Sequence, residues 1–419
     1  MFDLIIRGAN LPDGRARQDI GCAQGKIKAI VPKLDAAAPI EIDADNCLVS
    51  PPFIDGHLHM DAALLQGRPR INQTGGLYEG IRIWAEAKQA TTIEDHKARA
   101  RQICHWSIAQ GTLYIRCQTD ICEPNLNAVK ALLEVKEEMK PFITLQIVAF
   151  PQDGFYRFAD ATRLLRQALE MGAEVIGGIP DYELTAEMGN QSIRELCKIA
   201  LDGDFLIDMH MDQTTDPQSR QIEMLTAETI MRGLGSRVTA SHCPTLSSVN
   251  PYYASKLIDQ IAQSQMSIMV QPMQAATCWG IMAPIGKLLD AGVNVALGQD
   301  CVLDPWYPFG KCDMLDIAHM AATFGRVMDS TGKRRLFDAV TVSGARALGL
   351  SGYGLKIGGP ADFVVLDAAN PEEAIRLRPS RLAVIRGGAV LSRQQPQEAR
   401  LTLGAGQISV NLSKRNAGT

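Results

Sequence analysis

Seven histidines occur in this chain of 419 residues, and four of them close short apolar runs. FIDGHLHMD carries His57 and His59, FLIDMHMDQ carries His210, RVTASHCP carries His242, and NVALGQD ends on Asp300. On an extended strand, residues two apart share a face, so His57 and His59 aim at one point. Imidazole nitrogens with one carboxylate suit a borderline divalent ion such as Zn(II) or Fe(II). Three histidines and an aspartate also leave one position for an attacking water. Taken singly, a histidine at a strand end is more often a hydrogen-bonded core residue. The grouping of four at such ends favours metal chemistry. His96 and His105, in EDHKARARQICHW, and His319, in DIAHMAATF, lie in helical stretches and read as ordinary histidines.

The elements that must position these groups alternate in type. Strand candidates fall at 53–61, 112–120, 144–152, 173–180, 205–213, 237–244, 267–273 and 294–300. Helical stretches such as LNAVKALLEVKEEM and SIRELCKIALDG separate them, several ending in glycine as helix C-termini favour. Eight β units with crossover helices predict an α/β fold, a (β/α)8 TIM barrel, whose chemistry gathers at the C-terminal ends of its strands. An open doubly wound sheet is the alternative, weakened by the lack of a GxGxxG after the first strand. The flanks differ from the middle. FDLIIRGANL, GKIKAIVP and PIEIDADNCLV at the start, and ADFVVLDA, RLAVIRGGAVL and LTLGAGQISVNL at the end, read as short strands. Together they predict a small β-sandwich domain from both chain ends, residues 1–50 and 354–419, around a barrel of residues 51–353. SKRNAGT at the end reads as a disordered tail.

Composition limits the partners. The chain is 46% hydrophobic and 21% charged, as in ordinary soluble proteins, and its net charge of −4 argues against general binding to nucleic acid or acidic membranes. No stretch reads as a membrane span or a secretory signal. Ten cysteines without a CxxC pair suggest reduced thiols and a cytoplasmic location.

These stretches together resemble the amidohydrolase superfamily: HLHMD after strand 1, a histidine ending strand 5, TASH on strand 6, an aspartate ending strand 8, and YGLKIGGPADFVVLD. GGLYEGIRIWAEAK, LEVKEEMKPFITLQIVAFPQDG, SRVTASH and DPWYPFG more narrowly resemble bacterial cytosine deaminase of the metal-dependent barrel type, with triazine-acting N-isopropylammelide amidohydrolases as close relatives. The resemblance implies His57, His59, His210 and Asp300 as ligands of one Fe(II) or Zn(II). Members with two metals bridge them by a lysine or glutamate on strand 4; here that strand end reads IGGIPDYE, with no lysine, which favours a single metal. It implies His242 beside the attacking water, Asp300 also as proton acceptor, and Gln152 reading a ring carbonyl and its neighbouring N–H. Leu77 and Trp306 would line the base pocket. The expected reaction is hydrolytic deamination of cytosine or 5-methylcytosine to uracil or thymine plus ammonia, by a homo-oligomer acting on a small nucleobase. Release of an amine from an s-triazine or other N-heterocycle is the alternative.

Two positions depart from the family pattern. Where the family has a glutamate that shuttles a proton to the ring, this chain has Gln213, and an amide neither takes nor gives a proton near neutral pH. Three explanations fit. The glutamate has been replaced to give a variant that holds base without turnover, Asp212 or Asp300 takes over the role, or the reaction needs less ring protonation. The first is preferred, because so much of the remaining site is intact. The second departure is Cys301, which stands where the cytosine-specific pattern has an aspartate near the C5 edge. A cysteine there relieves crowding and offers a methyl group an apolar contact, or it is simply a packing residue.

Overall fold

The computed structural model describes residues 1–404 and 406–411; the tail read at SKRNAGT lies outside them. The chain opens with β1 (Leu4–Ala9), β2 (Gln18–Ala23), β3 (Lys26–Val31), β4 (Ile40–Asp43) and β5 (Leu48–Ser50). Eight parallel strands follow: β6 (Phe53–Leu58), β7 (Thr112–Asp120), β8 (Thr144–Phe150), β9 (Val175–Gly178), β10 (Leu206–Met211), β11 (Val238–His242), β12 (Ser267–Val270) and β13 (Asn294–Leu297). They lie side by side in chain order, with helices between. β14 (Phe363–Leu366), β15 (Arg381–Arg386) and β16 (Ala389–Ser392) return to the beginning of the chain, and β17 (Glu398–Leu403) and β18 (Gly406–Asn411) form a hairpin.

All eight expected barrel strands are present. β6 is buried throughout and β10 at every residue but Leu206, which is why they do not read as alternating strands. The ring closes between its first and last strands through a parallel bridge of Leu58 and Asp300. There His59 N–H donates to Asp300 O at 2.8 Å and Asp300 N–H to His57 O at 2.7 Å. Asp55 reinforces the seam: its Oδ1 accepts from His57 N and from Gln299 N at 2.9 Å. Closure excludes the open doubly wound sheet. The approach is tight enough that a Cβ on Gly298 would stand 2.6 Å from His57 Cβ. β13 itself stops at Leu297, so Asp300 sits in the connection beyond the strand rather than on its last residue.

The two flanks form the expected sandwich. One sheet runs β3-β2-β1-β4 and the other β16-β15-β14-β5. Leu4, Ile6, Ile20, Ile27 and Ile42 from the first meet Val49, Phe363, Val365 and Ile385 from the second in one buried cluster. Strand alternation lets β14 serve two cores: Phe363 and Val365 face the sandwich, while Val364 and Leu366 join the barrel core. LTLGAGQISVNL does not extend the sandwich. It supplies most of the β17–β18 hairpin, which pairs only with itself, because β17 is exposed along its whole length and has no face to bury.

Candidate active site

The C-terminal ends of the barrel strands bring His57, His59, His210 and Asp300 together, each buried, with one ligand atom per residue all within 4.8 Å of one another. His59 Nε2 and His210 Nε2 stand 3.1 Å apart. Asp300 Oδ1 lies 3.4 Å from His57 Nε2 and 3.5 Å from His59 Nε2. Two imidazole nitrogens facing each other at that distance, beside a carboxylate oxygen, offer a shared cation a ready set of donors. His57 Nε2 makes no hydrogen bond at all, as expected of a ligand atom. The donor set fits a divalent metal. Among the described residues no second such cluster occurs, in keeping with a single ion.

A buried polar chain stands behind His57. Arg116 Nη1 holds Asp208 Oδ2 at 3.1 Å, Ser241 Oγ donates to Asp208 Oδ1 at 2.6 Å, and Ser241 Oγ lies 3.0 Å from His57 Nδ1. Gln118 Nε2 lies 3.1 Å from the same Nδ1, so that nitrogen is engaged by the protein on two sides while Nε2 faces the cluster. Burial drives the ligand imidazoles toward the neutral state that binds metal: His59 falls to about 4 and His210 well below the usual histidine value. Burial likewise lowers His242 to about 3. For Asp300, burial acts upward, but His242, His57 and His59 outweigh it and hold the carboxyl at about 2.

Strain accompanies the site. His242 and Asp300 both take left-handed backbone angles, φ 72° and 68°. His242 closes β11 with neither ring nitrogen hydrogen-bonded, and its Nδ1 is 4.0 Å from Asp300 Oδ2. A small pocket opens above the cluster, lined among others by Leu77, Gln152, Gln213, His242, Cys301 and Trp306. Every residue expected there from the sequence therefore lies on one cavity.

Helix α1 (Leu77–Lys88) roofs it. Trp306 Nε1 donates to Leu77 O at 3.2 Å, and its indole lies where a Cβ on Gly80 would come within 2.2 Å. Cys301 packs with Trp306, Tyr307 and Trp84, so it is both a packing and a pocket residue. Burial foremost, with Asp304 and Asp300, pushes its thiol well up, leaving it uncharged at neutral pH.

Comparison with known proteins settles the family. A model of the amidohydrolase family matches residues 41–410. The chain belongs to that family. It is 36% identical to a solved 5-methylcytosine deaminase of Klebsiella pneumoniae, liganded with 5-fluorocytosine, over 95% of this chain and 99% of that one, with a TM-score of 0.92. It is 31% identical to N-isopropylammelide isopropyl amidohydrolase of a Pseudomonas species, over 94% of this chain and 98% of the other. It is 29% identical to a pterin deaminase of Rhizobium rhizogenes over 92% of this chain and 90% of that one. This amidohydrolase is therefore an enzyme that hydrolyses C–N bonds, deaminating a heterocycle.

The remaining histidines of the amidohydrolase stay apart from the site. His96 is buried against Arg99, His105 is exposed, and His319 lies 3.3 Å from Ile375 O. Asp212 is not available as a proton shuttle. Its carboxylate accepts from Gln221 N, Ile222 N and Ser219 Oγ, anchoring the first turn of the next helix, and it is not among the pocket residues. Sequence reasoning missed Gln274, which lines the pocket from the helix after β12. Its signal was the QPMQ just past the seventh strand. It also missed Asp181 in PDYE, which accepts from Gln213 N at 3.0 Å.

Proposed function

We propose that this enzyme deaminates a free pyrimidine base, cytosine or 5-methylcytosine, to uracil or thymine and ammonia, within pyrimidine metabolism. The observation that carries the reading is the placement of Gln152, Gln213 and Cys301 around one small cavity whose floor is the His/His/His/Asp cluster. His57, His59, His210 and Asp300 would hold one Zn(II) or Fe(II), whose contribution is to lower the pKa of the attacking water toward neutrality.

The protein groups supply the rest. Gln152 offers one donor and one acceptor, which fixes a ring carbonyl and its neighbouring N–H and turns the reacting carbon to the floor. Asp300, held ionised, takes the first proton of the attacking water and hands it to the ring nitrogen. It then takes the second from the new hydroxyl and hands it to the departing amine, so that the two hydrogens of water end on the ring N–H and in ammonia. His242, neutral and without a competing partner, hydrogen-bonds the new oxygen on the ring. Gln213 hydrogen-bonds the ring nitrogen beside the reacting carbon. Cys301, small and uncharged, accommodates a 5-methyl group, which favours 5-methylcytosine. The likeness to 5-methylcytosine deaminase supports this choice.

A second reading draws on the 31% identity to an N-isopropylammelide amidohydrolase: release of an amine from an s-triazine. Metal-loaded protein assayed with cytosine, 5-methylcytosine, isoguanine and N-alkyl triazines, scored for ammonia against alkylamine, separates the two. Ammonia from the pyrimidines supports deamination, and alkylamine alone overturns it. Base binding with no product from any substrate identifies an inactive base-binding protein. We further propose a cytoplasmic homo-oligomer. Among the described residues no disulfide joins any of the ten cysteines, in keeping with a reducing compartment, and sedimentation reads the assembly state.

A further inference from the structure

Gln213 cannot shuttle a proton, yet its side chain is buried at the pocket wall and its Nε2 has no hydrogen-bond partner. Behind it stands Asp181, on the short turn Pro180–Tyr182 that follows β9. Asp181 Oδ2 accepts from Gln213 N at 3.0 Å, while its other oxygen, Oδ1, is closed off from solvent and also without a partner. Two polar atoms outside any close hydrogen bond, one on each of two residues whose side chains already interact, mark a pairing whose direction depends on a proton.

We propose that Asp181 is a positioning residue that decides which end of the Gln213 amide faces the substrate ring, and hence which ring edge the pocket accepts. This rests on the reading that Gln213 meets the ring nitrogen next to the reacting carbon. A protonated Asp181 keeps the Gln213 N–H on one oxygen and donates its O–H to the Gln213 amide oxygen. The amide Nε2–H then turns to the pocket and suits a ring nitrogen with a lone pair, such as N3 of cytosine. An ionised Asp181 can only accept. It draws Nε2–H to itself and leaves the amide oxygen facing the ring, which suits a ring N–H such as N3–H of uracil.

The surroundings place the change of state near neutrality. Burial foremost, then the neighbouring Asp212, raises Asp181 to about 7, against the opposing hydrogen bonds from backbone N–H groups, that of Gln213 first, and from the Gln213 side chain. Cys243, at the end of β11, faces the same space and remains a neutral thiol, its own titration pushed well up by burial. On the same turn, Glu183 is occupied by the N–H groups of Phe155, Tyr156 and Arg157, and the Arg157 guanidinium lies 4.4 Å over the Tyr182 ring.

The metal-loaded wild-type enzyme provides the first test. Its kcat/KM for cytosine falls about 30-fold from pH 6 to pH 8.5, one power of ten per unit above about 7, whereas inhibition by uracil strengthens over the same range. Opposite slopes support the inference, and parallel slopes overturn it. Asp181→Asn makes the protonated arrangement permanent, since its Oδ1 still accepts from Gln213 N and its Nδ2–H donates to the amide oxygen. The variant loses most of the alkaline fall for cytosine and no longer binds uracil more tightly as pH rises. An unchanged pair of pH profiles in Asp181→Asn overturns the assignment even if the pyrimidine reading stands. If neither cytosine nor uracil binds at any pH, the pyrimidine reading fails and this inference fails with it.

Discussion

At the scale of single residues, Gln213 and Cys301 set this pocket apart from the cytosine-specific pattern it otherwise resembles. Gln213 offers only hydrogen bonding to the ring. Gln213→Glu restores a group able to deliver a proton, and kcat for cytosine is expected to rise by about 10²-fold or more. An unchanged kcat would show that the amide already suffices and that no lost glutamate limits turnover. Cys301 is neutral and packed among aromatic rings beneath the roof of the pocket. Cys301→Asp introduces a charge and bulk near the C5 edge, so the ratio of kcat/KM for 5-methylcytosine to that for cytosine is expected to fall roughly 10- to 200-fold. An unaltered ratio would reduce Cys301 to its packing role. Both experiments use substrate ratios or turnover as their readout, with metal content measured alongside to exclude a damaged cluster.

At the scale of elements, the site depends on the seam between β6 and the chain beyond β13. His57, His59 and Asp300 all belong to that seam, where they exchange backbone hydrogen bonds. Gly298 is a place where the two backbones approach closely. Gly298→Ala puts a methyl group against His57 Cβ, so the seam must open, with an expected loss of about 1–3 kcal/mol in stability. Metal stoichiometry by elemental analysis should drop together with the denaturation midpoint. A stable variant with full metal content would show that the seam yields without cost. Beneath it, the buried Arg116–Asp208 pair backs Ser241 and His57. Arg116→Met strands Asp208 without its cation in the barrel interior, an expected cost of about 3–5 kcal/mol in a denaturant titration.

At the scale of the whole molecule, the four candidate ligands come from three distant parts of the chain, so a bound ion ties the ring together. Anything that binds only the folded state stabilises it by mass action. Removing the metal with a chelator is therefore expected to lower the melting temperature and abolish turnover, the lost stabilisation being about 4 kcal/mol when free metal had been a thousandfold above its dissociation constant. Readdition of Zn(II) or Fe(II) should restore both, and the better of the two indicates the working ion. An apoprotein that melts at the same temperature as the loaded one would argue that the cluster is held by protein alone.

Period and punctuation along the chain were enough to reveal eight buried strands, their order and the two β-rich flanks, because burial on both faces leaves a continuous apolar run that a single sequence displays. Residue type and placement likewise singled out His57, His59, His210, His242 and Asp300, and the family resemblance chose His57, His59, His210 and Asp300 among them as ligands. Only the closed ring decided what those residues do together. It carried Asp300 past the end of β13 and back against His57, and committed Asp212 to a helix start rather than to the pocket. It also placed Asp181 behind Gln213, and laid Trp306 over Gly80. These are encounters between segments tens to hundreds of residues apart, fixed by strand register and loop path. Local propensity carries no trace of them, so they emerge only when the backbone hydrogen bonds of the barrel bring the strand ends to one mouth.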